Sequence, residues 1–505
     1  MKHIPDNEQS LYELLLCIKE NNEIELKKSS SQLTKSFWET YSSFSNTNGG
    51  FIILGINEAT PENEILGVEN PQKMIADLWN LLANPNKVSF RTINNEDVRV
   101  EKVKNKFIII IYVHEAPLTR KPVYLDNRWE NAYIRTGDGD RKITKNEYGI
   151  FTRNASTGID AIVAEHFTMD DLDEESMEEF KKKVSKRYPK RHYDEMDLTS
   201  FFLQIGGFIK NRDTKELQIK RGTILFLGKY ASIRELYPHF HLDYFNKRGN
   251  NPRWSDRIAT DEPQDREMNI YNFYIIVYEK LKSLLQESFR MDENQLRLPI
   301  GDFDDSIREG LVNCLAHADY AQGFPTTKIE AYDGYFDFLN PGTMLIPKEQ
   351  FIIGGDSRIR NEVVMTFFRL LGASERQGNG GPLIYQTATK TKSRIPELNS
   401  DFEKTELMIW NVDLVDAYPE LNLEEKNILQ LIVKSIEPIS TTEIQYSLGI
   451  TQYSTRKYLK NLENKNLIEK IGNNRSTKYK VKEGSTEMVT QIQVLLNFFK
   501  NNLNT

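Results

Sequence analysis

The run Ser306-Ile307-Arg308-Glu309-Gly310-Leu311-Val312-Asn313-Cys314-Leu315-Ala316-His317 constrains the chain most, because it reads as one helix with two unlike faces. At about 100° per residue, Ile307, Leu311, Cys314 and Leu315 gather on one side, and Glu309, Asn313 and His317 on the other. The polar stripe has nothing apolar to hide. It can be a solvated surface, yet a Glu and an Asn one turn apart can also polarise water and ligate Mg²⁺. Downstream, Glu375-Arg376-Gln377-Gly378-Asn379-Gly380-Gly381-Pro382 is a glycine-rich loop whose proline can open a helix and whose backbone N–H groups can face phosphate.

Such a helix is one part of a larger plan. A chain of 505 residues exceeds one hydrophobic core, and domains of roughly 100–200 residues predict three or four units. An apolar fraction of 39% with 28% charged residues excludes disorder along the whole length. Leu33, Phe37, Tyr41 and Phe44 predict a helix that stops at Asn46-Thr47-Asn48-Gly49-Gly50. Strands are predicted at Phe51–Ile56, Phe107–Val113 and Tyr133–Arg135, making a mixed α/β domain over residues 1–155. Acids between Asp170 and Glu179 run directly into bases between Lys181 and Arg191, so 156–197 is predicted as a charged connector. A second α/β domain is predicted over 198–415, with strands at Thr223–Leu227 and Lys328–Leu339 and helices around Ile270–Gln286 and Asp305–Ala318.

The last part stands apart. Helices marked by Ile428, Leu431 and Ile432, by Ile444 and Leu448, and by Tyr453, Leu459 and Leu462 precede two strands around an Asn/Gly-rich turn. That spacing predicts a winged helix-turn-helix over 420–485 and a helical tail over 486–505. The net charge is −7, which argues against a chain that coats nucleic acid throughout, but Thr451 to Lys482 holds nine basic and two acidic residues. Arg456, Lys457 and Lys460 on the third helix, with Arg475 and Lys478 on the wing, are the predicted nucleic-acid contacts.

Other function classes are disfavoured. The start Met1-Lys2-His3-Ile4-Pro5-Asp6 has no signal-like apolar core, so a cytoplasmic location is expected. Phe107–Val113 is far shorter than the ~20 residues that cross a bilayer. Cys17 and Cys314 lack metal spacing, and His239 and His241 lack a third ligand. No loop ends in Gly-Lys-Ser or Gly-Lys-Thr.

Near the start, Glu23, Glu25 and Lys27 alternate with Ile24 and Leu26 at strand period, and Glu58 lies at the end of a second strand. Acids so placed can hold a hard divalent cation beside a phosphate-gripping lysine, or they can simply solvate a strand. Glu20-x4-Glu25-Leu26-Lys27, then Phe44-Ser45-Asn46-Thr47-Asn48-Gly49-Gly50 and Gly55-Ile56-Asn57-Glu58, resemble the AlbA-like domain of Schlafen proteins. The resemblance implies Glu20, Glu25 and Glu58 around Mg²⁺ or Mn²⁺, with Lys27 beside them. Glu58 stands where that family usually has Asp.

The polar helix, Asn340-Pro341-Gly342, Ser357-Arg358-Ile359-Arg360-Asn361 and the Gly378 loop together resemble a divergent ATPase module of the gyrase, heat-shock-protein and histidine-kinase superfamily. The resemblance implies ATP, with Glu309 as general base, Asn313 as Mg²⁺ ligand, and His317, Asn340, Gly342, Gly378, Gly380 and Gly381 around the nucleotide. Asn340 replaces the usual adenine-reading Asp. The fold class expected is therefore a multidomain α+β and α/β chain: Schlafen AlbA-like domain, ATPase-like sandwich, winged helix. The function expected is an ATP-regulated, metal-dependent nuclease acting on RNA such as transfer RNA, or on DNA, working as a homo-oligomer. The alternative is an ATP-binding, DNA-binding regulator that does not cut.

Overall fold

The computed structural model describes residues 8–59, 61–137, 139–156, 158–249, 253–290, 300–355, 357–374, 378–391, 393–411, 421–435, 438–472 and 477–482. The chain divides into two compact units, Met1–Ser156 and Thr157–Thr505.

In the first unit, β1 (Ile24–Lys27) is followed by α1 (Lys35–Asn46), which Thr34 caps by accepting the Phe37 N–H. Phe37, Trp38, Tyr41 and Phe44 are buried along one side of α1, and the helix ends where the Asn/Gly signal predicts. A sheet of order β1–β2–β4–β3 joins β1 to β2 (Gly50–Leu54), β4 (Lys106–Val113) and β3 (Val98–Val103). Central β4 is buried from Ile108 to Ile111, as its unbroken aliphatic run requires. The parallel β1–β2 pair aligns Glu25 with Ile52. A hairpin, β5 (Arg128–Thr136) and β6 (Gly139–Lys142), packs against α1.

The second unit begins differently from the prediction. The segment read as a connector holds α2 (Glu174–Arg187), whose Met177, Phe180 and Val184 are buried in the unit's core. Charge segregation masked that narrow apolar stripe. Thr223–Leu227, read as a strand, is instead part of the buried helix α3 (Arg221–Leu227). A short apolar run has no period that separates the two states, so tertiary context decided.

A six-stranded sheet follows, ordered β8–β7–β9–β10–β12–β11, comprising β7 (Leu242–Asn246), β8 (Asp256–Ala259), β9 (Thr327–Ala331), β10 (Tyr335–Pro341), β11 (Glu397–Ser400) and β12 (Lys404–Trp410). Only β7 and β9 run parallel. The strand predicted at Lys328–Leu339 is the β9–β10 hairpin, closed where the Tyr332 N–H donates to the Tyr335 carbonyl. Behind the sheet lie α4 (Ile270–Arg290), α5 (Ile300–His317), α6 (Glu362–Leu371) and α7 (Gly380–Thr391), with α5 against β10 and β12.

The C-terminal part has its own core of Ile428, Ile432, Ile444, Leu459, Leu462 and Val481. Its order is α8 (Leu423–Lys434), β13 (Ile439–Ser440), α9 (Thr441–Leu448), α10 (Gln452–Asn464), β14 (Ile468–Ile471) and β15 (Lys478–Val481), with a β13–β15–β14 sheet. The tail at 486–505 lies outside the described residues. No described helix is long and apolar enough to cross a membrane.

Candidate functional sites

The first constellation forms where β1 meets the β5–β6 hairpin. Strand alternation puts Glu25 and Lys27 on one face, and the Lys27 Nζ reaches the Glu25 Oε1 at 2.5 Å. The other Glu25 oxygen accepts from Arg135 of β5 at 2.7 Å. Arg135 also donates to Asp140 at 2.9 Å and to the Asn21 carbonyl at 2.8 Å, and its guanidinium lies over the Phe44 ring. Only 2% of the Arg135 side chain is exposed. Burial alone would lower its basicity, but Asp140 and Glu25 together raise it.

Glu20 accepts the Leu26 N–H at 3.1 Å, and the Glu20 N–H donates to the Glu58 Oε1 at 3.4 Å. Burial holds the Glu20 carboxyl above the usual carboxylate range; Glu25 and then Glu58 push it the same way, while the Leu26 N–H pulls it down. The three acids thus share one electrostatic neighbourhood. They do not converge on one point: among the described residues, no three His, Cys, Asp or Glu groups stand at metal-ligating geometry. Both Glu25 oxygens are committed to cations instead. The donor set still suits a hard cation, since three carboxylates repel one another and a divalent ion would relieve that repulsion once Lys27 or Arg135 yields an oxygen. Arg135 and Asp140 are the residues sequence reading missed; an arginine directly after the buried run Ala132-Tyr133-Ile134 was the available signal.

The second constellation is a pocket at the end of α5 enclosing about 1070 Å³, its open mouth included. Glu309, Asn313 and His317 line it, joined by Asn340 and by Gly378, Gly380 and Gly381. Gly342, two residues after Asn340 and outside the lining, has positive φ, and its N–H donates to the Glu403 carbonyl. The Asn313 amide donates to the Glu309 Oε1 at 3.1 Å. That carboxylate abuts the first turn of α7, where a Cβ on Gly380 would come within 2.1 Å of it. Burial, and next the Arg360 charge, lower the His317 pKa to about 4, so the ring is neutral near pH 7. Glu375–Gln377 lie outside the described residues.

Apolar side chains close the rest of the pocket, among them Met344, Leu345, Ile346, Phe351 and Leu407. The sequence reading missed this wall, although Met344-Leu345-Ile346 directly follows the Gly342 turn. Two polar atoms at the pocket, the Ser357 Oγ and Arg369 Nε, are buried without a hydrogen-bond partner among the described residues. A pocket that combines an apolar wall with amide donors and a glycine-rich turn has the lining a nucleotide needs.

On α10, Tyr453, Arg456, Lys457 and Lys460 recur at helical spacing on the exposed face, with Thr455, Leu459 and Leu462 buried opposite. Tyr453, one of the residues that marked the third helix, is 80% exposed. Lys478 of β15 is exposed, and Arg475 lies outside the described residues.

Four family models match parts of the chain. Residues 20–144 match the Schlafen AlbA_2 family model, and 149–243 match a domain of unknown function, DUF8451. Residues 326–409 match the family described as "Putative ATP-dependent DNA helicase recG C-terminal", and 424–478 match FaeA-like protein. No curated protein matches. The crystal structure of the DIP2311 protein from Corynebacterium diphtheriae is similar at 13% identity, covering 91% of this chain and 95% of that one, with a TM-score of 0.38. The chain is a multidomain α+β protein with a Schlafen AlbA_2 domain at its start and an ATPase-type domain of the recG C-terminal kind in its second unit.

Proposed function

We propose that this protein is a metal-dependent nuclease, acting first on RNA such as transfer RNA, whose activity is set by ATP bound in the second unit. The observation that carries the reading is the shared electrostatic field of Glu20, Glu25 and Glu58 beside Lys27. Those three acids would hold Mg²⁺ or Mn²⁺, which when bound supplies an activated water and neutralises charge on the scissile phosphate. Lys27 binds a phosphate oxygen, and Arg135 fixes the direction of Glu25. In the pocket, the apolar wall would take the base, the Gly378–Gly381 turn would face the phosphates and Asn313 would hold Mg²⁺; Asn313 orients Glu309, which can accept a proton from water. Arg456, Lys457, Lys460, Lys478 and Arg475 contact nucleic-acid phosphates.

The same reading divides the chain into a nucleic-acid domain over 1–155, an ATP-binding domain over 198–415 and a winged helix over 420–485. It places the protein in the cytoplasm as a homo-oligomer, in phage defence or a stress response. The alternative is an ATP-binding transcriptional regulator that does not cut. Its supporting observation is Glu25, whose two oxygens are already paired with Lys27 and Arg135.

Asn313→Ala and Glu309→Ala test the pocket by calorimetry with Mg²⁺ and ATP. Asn313→Ala is expected to weaken ATP binding by at least about tenfold, about 1.4 kcal/mol. Glu309→Ala is expected to bind ATP but not hydrolyse it. Wild-type binding and hydrolysis in both variants would remove the assignment.

A further inference from the structure

Helix α6 starts without help from its own cap residue. Asn361 makes no side-chain bond to the helix it precedes. Its amide donates instead to the carbonyls of Ala316 and Ala318, at 3.0 and 2.8 Å, and ties down the end of α5. The open N–H groups of α6 go to a residue remote in sequence: the Asp160 Oδ2 accepts from Val363 at 2.9 Å and from Val364 at 3.0 Å.

Asp160 is fully buried. Gly222 of α3 lies against the same oxygen, where a Cβ would come within 2.5 Å. Burial pushes the Asp160 carboxyl up to about 6, against the pull of the backbone N–H groups, so the anion is held in place at a cost.

The joint that Asp160 closes is a wall of the nucleotide pocket. Ser357, Arg358 and Ile359 lead into α6, Met365 and Arg369 lie on it, and all five line the pocket. Between them, Arg360 donates to the carbonyls of His317 and Thr343, both at 2.9 Å, joining the end of α5 to the turn after β10. Asp160 itself belongs to the short turn Ile159–Ala161, just beyond the end of the first unit at Ser156.

We propose that Asp160 is a positioning residue that fixes the α6 wall of the pocket from the chain leaving the first unit, so that nucleotide binding and the state of that junction are coupled. The coupling rests on the reading of the pocket as a nucleotide site.

The test uses the full chain with ATP and Mg²⁺. Asp160→Ala is expected to bind ATP at least tenfold more weakly. Asp160→Asn keeps an acceptor for both N–H groups and is expected to stay within threefold of wild type. A residue that only stabilised the fold would lower the melting temperature of free and ATP-bound protein alike; the positioning role predicts a smaller ATP-induced shift in Asp160→Ala. Equal ATP affinity in Asp160→Ala and wild type overturns the proposal. Should that variant fail to fold, hydrogen exchange on the unaltered protein decides. ATP is expected to slow exchange at Val363 and Val364 together with residues 158–163. Slowing around Asn313 and Gly381 with none at 158–163 overturns the coupling while leaving the nucleotide site intact. A wild type that does not bind ATP at all overturns both.

Discussion

Gly381→Ala is expected to lower ATP affinity by at least tenfold. A Cβ at Gly381 would stand 1.8 Å from the Phe351 carbonyl oxygen, a backbone atom that no rotamer change can move aside. Its neighbours are confined as well. Gly380 faces the Glu309 carboxylate, and Gly378, at φ +83°, would put a Cβ 1.9 Å from the Gly355 carbonyl. The added methyl must push the first turn of α7 away from the pocket, and forcing extra atoms into a packed site costs about 1–3 kcal/mol. Tenfold corresponds to about 1.4 kcal/mol. Gly301→Ala is the control: its Cβ meets nothing within 4 Å, and ATP binding is expected to be unchanged. Calorimetry on the two variants makes the comparison.

Arg135→Ala is expected to destabilise the first unit by about 3–5 kcal/mol, the loss seen when one partner of a buried ion pair is removed. Arg135 stands between Glu25 and Asp140, and its deletion leaves two nearby carboxylates to repel each other with little water to screen them. The direct hydrogen bond to the Asn21 carbonyl is lost as well. Denaturant unfolding measures the effect. A variant as stable as wild type at pH 7 would mean that water already screens the pair.

Much of the pocket was legible in the sequence because one helix carries it. Glu309, Asn313 and His317 follow from periodicity alone, and the glycines that face them announce a turn. What escaped depends on partners distant in the chain. Arg135 meets Glu25 across 110 residues. Asp160 meets α6 across more than 200, and no local pattern marks either pairing. The errors share a cause: Thr223–Leu227 and α2 were assigned from local composition, whereas burial on the folded chain decided both. The acids near the start were found by pattern and resemblance, but the pairing of Glu25 with Arg135 was not.

The most direct test incubates the full-length protein with transfer RNA and with single- and double-stranded DNA, with Mn²⁺ or Mg²⁺, with and without ATP, beside Glu25→Ala. The expected result is metal-dependent cleavage of transfer RNA whose rate changes with ATP, and which Glu25→Ala abolishes while nucleic-acid binding persists. No cleavage by the wild type under any of these conditions, with tight duplex binding retained, would contradict it and leave the regulator.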